Sequence, residues 1–486
     1  MSDQHRVSRL EQRVDSRDAL LKFRIIQRGS GRRKSGEKGL RILECFGMIH
    51  RQNLDRQRTR HSIMQSSDDG RAGVSVDQSR LIALLKRGIR AVNGRDLTAL
   101  AAPDLPPGPL DLIAVGKAAC AMAQGLLDIR ARTVRRGLVV TRHGYATPLQ
   151  TPHGVDVEVR TAGHPIPDAT TLQAGDALLR FVTSGDPDTT LIFLLSGGAS
   201  ALVERPLPGM TASDLAQINR WLLASGKPIT EINAVRCALS TLKGGRLAAR
   251  LPYRRTFYWL LSDVVGDDPA TIGSGLLAAA RPARLPDQLP EALQRWAAKA
   301  EPIPSAVHRC FRTISTRILA GNRTALNAIG AAARDQKLTV HPIFPPVTGN
   351  AQSAGETMGD TLCAGSPGLY LWGGEPTVTL PPDPGRGGRC RHLALAAAAS
   401  LAGGAPTWLL AAGSDGEDGG NGAAGGWVSH ATAADIRALG CSADDFLQRA
   451  DSGSLLAALG QEVVTGPTDT NVMDIILGYR GPVGPV

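Results

Sequence analysis

Residues 190–200 read TLIFLLSGGAS, and the fold follows from how that stretch is built. An apolar run from Thr190 ends on Ser196, Gly197 and Gly198, with Ser200 just beyond. Continuous apolar runs mark strands buried on both faces of a parallel sheet, whereas strands with one wet face alternate. Five other segments share the pattern: LDLIAVGK (110–117), FYWLLSDVVGDD (257–268), TRILAGN (316–322), GLYLWGGE (368–375) and TWLLAAGSDGED (407–418). Each breaks on glycine with a charged or hydroxyl group beside it. Open α/β sheets bind ligands beyond the carboxyl ends of their strands, so six such ends predict one active-site cleft.

Helical patterns fill the intervals. In QSRLIALLKRGIRAVN (78–93), Leu81, Leu84, Leu85, Ile89 and Val92 have the spacing of an amphipathic helix. Similar patterns cover Thr171–Val182, Leu215–Ala224 and Asn233–Arg250. The alternation predicts an α/β chain with a doubly wound, Rossmann-like sheet and right-handed crossovers. Proline punctuates 281–305, which predicts an excursion from the sheet, and PIFPPVTGNAQSAG (342–355) supplies a domain boundary. The expected organisation is a leader over 1–75, a large Rossmann-like N-terminal domain over 76–340, and a smaller α/β C-terminal domain over 341–486.

Composition narrows the class. A chain of 486 residues with 42% hydrophobic content can build more than one core. The formal charge of +11 is concentrated in the leader, where residues 1–75 hold 17 basic and nine acidic side chains. A basic arm for nucleic acid or an anionic membrane competes there with a plain extension, or with a start at Met64. Seven cysteines, odd in number, scattered and without a C-x-x-C pair, predict reduced thiols in a cytoplasmic protein. No apolar stretch approaches the roughly 18 residues of a membrane span, and the N-terminus has no signal-peptide core.

The densest glycine lies in GSDGEDGGNGAAGG (413–426), seven glycines with Asp415, Glu417 and Asp418 among them. Successive amides of such a loop can form an anion-binding nest. Acids beside a phosphate need a divalent cation between them, and Mg²⁺ is commonly held by one or two carboxylates plus phosphate oxygens. The loop is therefore read either as a site for a metal-nucleotide complex or as a turn with solvated acids. The Ser196–Ser200 turn suits phosphate through its amides and hydroxyls. Lys117, after a glycine at a strand end, is either a solvated lysine or a point charge for a transferring phosphoryl group. Asn233, Arg236 and Lys243 recur at spacings of three and seven, which places them on one helical face, carboxylate-binding or simply solvated.

Several alternatives lack their motifs. Gly226-Lys227 runs into Pro228, so there is no P-loop. Gly273 to Ala278 (GSGLLA) fits G-x-G-x-x-A, but Asp-Asp-Pro-Ala precedes it instead of a strand, and no acid follows about twenty residues later. No G-x-S-x-G and no H-x-x-x-H spacing points to a serine hydrolase or a zinc site.

Nine ordered segments resemble the glycerate 2-kinase family: AVGKAACAMA (114–123), GHPIPD (163–168), LLSGGASAL (194–202), INAVRCALSTLKGGRLA (232–248), LSDVVGDDPATIGSG (261–275), GGEPTV (373–378), GRGGR (385–389), GSDGEDG (413–419) and TGPTDTNVMD (465–474). The C-terminal domain of that family is known as MOFRL. The resemblance runs from Val76 to Tyr479. It implies ATP-dependent phosphorylation of D-glycerate at the 2-hydroxyl, giving 2-phosphoglycerate and ADP, with Mg²⁺, in the cytoplasm and in a cleft between two domains. It places the family's functional positions on Lys117, Asp263, Arg389 and Asp415. Asp263 or Asp415 would take the hydroxyl proton and the other would serve Mg²⁺. Nucleotide and phosphate would lie on Ser196, Gly197, Gly198, Ser200, Gly413, Ser414, Gly416, Thr468 and Asn471, and the acid on Asn233, Arg236 and Lys243. The expected partners are D-glycerate and ATP, with no specific nucleic acid, no membrane, and a homodimer as the assembly to consider.

The chain departs from the family pattern in places. Cys390-Arg391-His392 replaces a segment with Asn and Glu, Ser414 replaces Thr, Leu276 replaces Pro, Gly420-Asn421-Gly422 replaces Pro-Thr-Asp, and Asp469 stands where Gly is common. Two alternatives follow: an NAD(P)H-dependent hydroxypyruvate reductase, a label often given to this family, and a nucleotide-binding relative that has lost turnover.

Overall fold

β1 (Leu110–Val115) is buried along its entire length, as its unbroken apolar sequence demands. In the computed structural model, which describes residues 76–482 apart from 152–154, 226–228, 281–284, 287–288 and 421, it lies inside a six-stranded sheet. The leader over 1–75 and parts of the 281–305 excursion lie outside the described residues. The other strands are β2 (Val134–Arg142), β3 (Asp156–Ala162), β4 (Thr190–Leu195), β5 (Thr256–Leu261) and β6 (Ile314–Ala320). All pairings are parallel, in the order β3-β2-β1-β4-β5-β6. Leu112 and Ala114 face one apolar core and Ile113 and Val115 another, so the sheet is covered on both sides.

A second sheet is built from β7 (Gly368–Gly374), β8 (Thr407–Gly413), β9 (Gly425–Ser429), β10 (Glu462–Val463) and β11 (Asp474–Arg480), in the order β10-β9-β8-β11-β7. Its pairings are antiparallel, which corrects the expectation that every apolar run belongs to a parallel sheet. β7 and β8 still point the same way, because β11 runs back between them. The first residue of β11, Asp474, therefore sits opposite both terminal glycines, Gly374 and Gly413.

Helices Gln78–Ala91 and Asn322–Asp335 pack together and against the second sheet, and one apolar core runs from Leu110 and Ile192 to Leu371, Leu410 and Ile475. The first of these is the helix expected from the 78–93 spacing, and it starts on Asp77, whose carboxylate accepts the Arg80 amide. The helix expected over 233–250 is instead two, Ile229–Leu239 and Arg246–Ala249. Ser240 Oγ accepts the amides of Leu242 and Lys243 and ends the first. No helix among the described residues is long and apolar enough to cross a membrane.

Candidate active site

The ends of β1 and β4 are stitched together: the Lys117 amide donates to Gly197 O at 2.9 Å and the Ala118 amide to Ser196 Oγ at 3.0 Å. The strand order reverses between these two strands, and that crevice is where open α/β sheets take their ligands. Gly198 starts the helical turn Ala199–Leu202 with φ of +86°, a conformation glycine adopts without strain. A side chain there would lie 3.1 Å from the His164 ring and 3.4 Å from Lys117 Cγ. A side chain at Gly197 would collide with Asp263 and Asn471. The turn is narrow because three candidates, Lys117, Asp263 and Asn471, crowd it together with His164.

The second sheet contributes from above. Lys117 Nζ meets Asp415 Oδ2 at 2.5 Å, both largely buried. Burial pushes the Asp415 carboxyl up, but the Lys117 ammonium, the Glu417 amide and Arg389 together outweigh it and the group ends below its ordinary value. Arg142, the last residue of β2, forks onto both oxygens of Glu417, with its guanidinium 4.3 Å from the centre of the Tyr145 ring. Asp418 is fully buried at the start of helix Arg389–Ala397, accepting the amides of Cys390 and Arg391 and the Arg391 guanidinium. All three acids of the glycine-rich loop are thus matched by a base. This corrects the solvated-acid reading of the loop. Among the described residues no group of three or more His, Cys, Asp or Glu is placed to hold an ion by itself.

Asp263 follows β5 and receives the Asn471 amide at 3.4 Å. Burial and the negative Glu375 raise its carboxyl to about 6, with Lys117 only partly opposing them. Arg389 spans Asp474, by two bonds of 2.6 and 3.0 Å, and Glu375, at 2.6 Å. Burial works against its charge, yet the two carboxylates hold it well above its ordinary value. Asp474 is positioned by Asn322, whose Nδ2 donates to the carbonyls of Val472 and Asp474 at 2.9 and 2.8 Å.

The remaining candidates divide. Ser414 Oγ accepts the Val472 amide at 2.7 Å and its carbonyl accepts Thr468 Oγ1 at 2.5 Å, so these hydroxyls clasp the 465–471 loop to β8. Gly416 lies where a side chain would strike Gly466. Ser200 and Ser274 hydroxyls are 2.7 Å apart, and Ser274 donates to Asn233 Oδ1 at 3.1 Å, which ties Ser200 and Asn233 to the 271–275 turn. Arg236 is half-buried in the last turn of its helix, and burial depresses its basicity. Lys243 is a correction: it lies beyond the helix end, 2% exposed, bonded to Glu204 and to Ser200 O at 2.7 Å. It supports the Ser196–Ser200 turn through the Ser200 carbonyl and does not share a helix face with Arg236. Sequence reasoning assigned no role to His164, Arg142, Glu375, Asp474 or Asn322. Their signal was position, since His164, Glu375 and Asp474 all lie in the quoted segments and Asn322 ends the β6 run.

Residues 81–312 match a family described as a domain of unknown function, DUF4147, and residues 368–474 match the MOFRL family. The D-glycerate 2-kinase of Thermotoga maritima is 32% identical over 411 residues, covering 82% of this chain and 97% of that one. The chain belongs to the glycerate 2-kinase family. Membership makes it a kinase. A crystal structure of glycerate kinase from Thermotoga maritima superposes on it with a TM-score of 0.69 at 30% identity, covering 82% of this chain and 98% of the other. A putative hydroxypyruvate reductase of Agrobacterium vitis is 35% identical over 381 residues, 75% of this chain and 97% of the relative. In this member of the glycerate 2-kinase family the Gly273 fingerprint is not a strand-to-helix turn. It forms a single 3₁₀ turn, Ile272–Ser274, packed against Leu195 and bonded to the Gly244 and Gly245 amides.

Proposed function

We propose that this kinase transfers the γ-phosphoryl group of ATP to the 2-hydroxyl of D-glycerate, giving 2-phosphoglycerate and ADP. The observation that carries the proposal is the Lys117–Asp415 pair, which brings the end of β1 against the end of β8 directly beside the Ser196–Ser200 turn. ATP phosphates lie over that turn and the Gly413–Gly419 loop, within reach of Lys117. Arg236 takes the glycerate carboxylate. The 2-hydroxyl oxygen attacks the γ-phosphorus, the bond to the β,γ-bridging oxygen breaks, and its electron pair leaves on ADP. The hydroxyl proton passes to Asp263, whose raised value suits a base working near neutral pH. Lys117 and Arg389 offset the charge on the phosphoryl oxygens, the main work in a reaction that is mostly positioning and electrostatics.

Mg²⁺ fits through Asp415. Its carboxylate already faces one cation, the Lys117 ammonium, so Asp415 would be the residue to hold the metal. When bound, Mg²⁺ supplies charge neutralisation to phosphate oxygens.

The test is incubation of the purified protein with D-glycerate, Mg²⁺ and ATP, followed by phosphorus NMR that separates 2-phosphate from 3-phosphate esters. A 2-phosphoglycerate signal is expected. No ester, with energy transfer from tryptophan to bound NAD(P)H, would replace the proposal with the reductase. No ester with ATP bound would mark a lapsed enzyme.

A further inference from the structure

Two of the three cations in the proposed mechanism already carry carboxylates. Lys117 holds Asp415, and Arg389 holds both Asp474 and Glu375. Arg236 holds none among the described residues, since Glu204, whose charge acts on it, is bonded to Lys243. The two carboxylates on Arg389 differ in kind. Asp474 takes Nε and Nη2, its side chain is 1% exposed, and Asn322 fixes its backbone carbonyl. Glu375, the first residue after β7, takes only Nη1, at 2.6 Å, and its side chain is 47% exposed. A ligand arriving from solvent meets Arg389 on the Glu375 side.

We infer that Glu375 is a specificity-determining residue of this site: by occupying the solvent side of Arg389 it turns the carboxylate of the acid away and yields only to a phosphoryl group. A kinase acting on a hydroxy acid must sort two anions, a carboxylate with one charge and a phosphoryl group with more. The bond that Glu375 makes shows that a carboxylate fits against Arg389, so an acid bound there would take the seat of the phosphoryl group. A tethered carboxylate has a high effective concentration, and a free one of equal charge does not displace it. A terminal phosphoryl group carries more charge and can take a guanidinium by paired bonds, which lets it compete. Glu375 thus sets a like charge against the wrong ligand, a repulsive element of the kind that fixes specificity. The acid is left with Arg236.

The inference rests on the glycerate kinase proposal, and the experiment separates the two. Full-length wild type, Glu375→Ala and Glu375→Gln are titrated calorimetrically with a non-hydrolysable ATP analogue and Mg²⁺, with and without D-glycerate at constant ionic strength, alongside thermal melts and the phosphorus NMR assay. In wild type D-glycerate should leave the affinity for the analogue unchanged. In Glu375→Ala it should weaken that affinity about tenfold or more, with Glu375→Gln between the two. Weakening of the same size in wild type, or none in a Glu375→Ala protein that melts normally, overturns the inference. Should Glu375→Ala not fold, Glu375→Gln decides by the same criterion. If wild type binds the analogue but makes no 2-phosphoglycerate, the kinase proposal falls and the titrations alone decide for Glu375. A wild type that does not bind the analogue overturns both.

Discussion

Lys117 and Asp415 meet at 2.5 Å across the junction of the two sheets, 298 positions apart in the chain. The pair has two consequences that can be separated. In the proposed mechanism Lys117 offsets phosphoryl charge, so Lys117→Ala should lower kcat at least about 10²-fold. As half of a largely buried pair it also protects Asp415, and removing one partner of such a pair costs about 3–5 kcal/mol. Combining Lys117→Met with Asp415→Asn should restore much of the stability lost in either single variant and none of the activity. Melting curves and initial rates on the same preparations check both. A kcat within tenfold of wild type in Lys117→Ala would remove Lys117 from the chemistry.

Asp263 should control the acid limb of the rate profile. Its folded value of about 6 lies above the ordinary 3.8, so kcat/KM should fall as pH drops through about 6 and the carboxylate is protonated. Stability moves the other way. A carboxyl with a raised value binds its proton more tightly when folded, so its contribution is full below the unfolded value and lost as pH rises through about 6. Asp263→Asn should therefore be inactive yet melt higher than wild type at pH 8, with the difference shrinking toward pH 4. A variant that melts lower at pH 8 would contradict this.

The residues explain which features were open to reading. All six apolar runs ending in glycine became strands, and Lys117, Ser196, Asp263, Glu375 and Asp415 stand at or just past their ends. That rule detects only strands that lead into the cleft. β11 runs the opposite way, so its polar segment, TGPTDTNVMD, comes before the strand and hid it. β2 and β3 escaped because Arg135, Arg136, Glu158 and Arg160 interrupt them, and β3 is a partly exposed edge. Lys243 was misplaced because spacing presumes a continuous helix, and the Ser240 hydroxyl breaks it. Pairings such as Arg389 with Asp474, or Arg142 with Glu417, join segments that only the folded chain brings together, so their local sequence held no sign of them.

Arg391 belongs to the fold and not to the chemistry. Fully buried, it binds Asp418 and Glu462, while Asp418 also caps the Arg389–Ala397 helix. Arg391→Ala leaves Asp418 without its counter-ion, and a loss of about 3–5 kcal/mol is expected. Denaturant melts should show that loss, while kcat per folded molecule stays within a few-fold of wild type at low temperature. A large fall in kcat at unchanged stability would instead assign Arg391 to the active site.

Asp469 replaces the glycine common at its position and shows why glycine is favoured there. Its backbone is left-handed, φ +58°, and its carbonyl accepts the Gly94 amide at 3.0 Å while the neighbouring Thr470 hydroxyl reaches Val92 O at 2.6 Å. This bend fastens the loop carrying Asn471 to the N-terminal helices. Aspartate tolerates the left-handed region better than most residues and β-branched side chains tolerate it worst. Asp469→Gly keeps both backbone bonds and trades relief of strain against a more flexible unfolded chain, so stability should change by no more than about 1 kcal/mol. Asp469→Val should cost about 1–2 kcal/mol and loosen the loop. Urea titration of the two variants makes the comparison, and equal stability would mean that the left-handed bend is not required for the loop to seat.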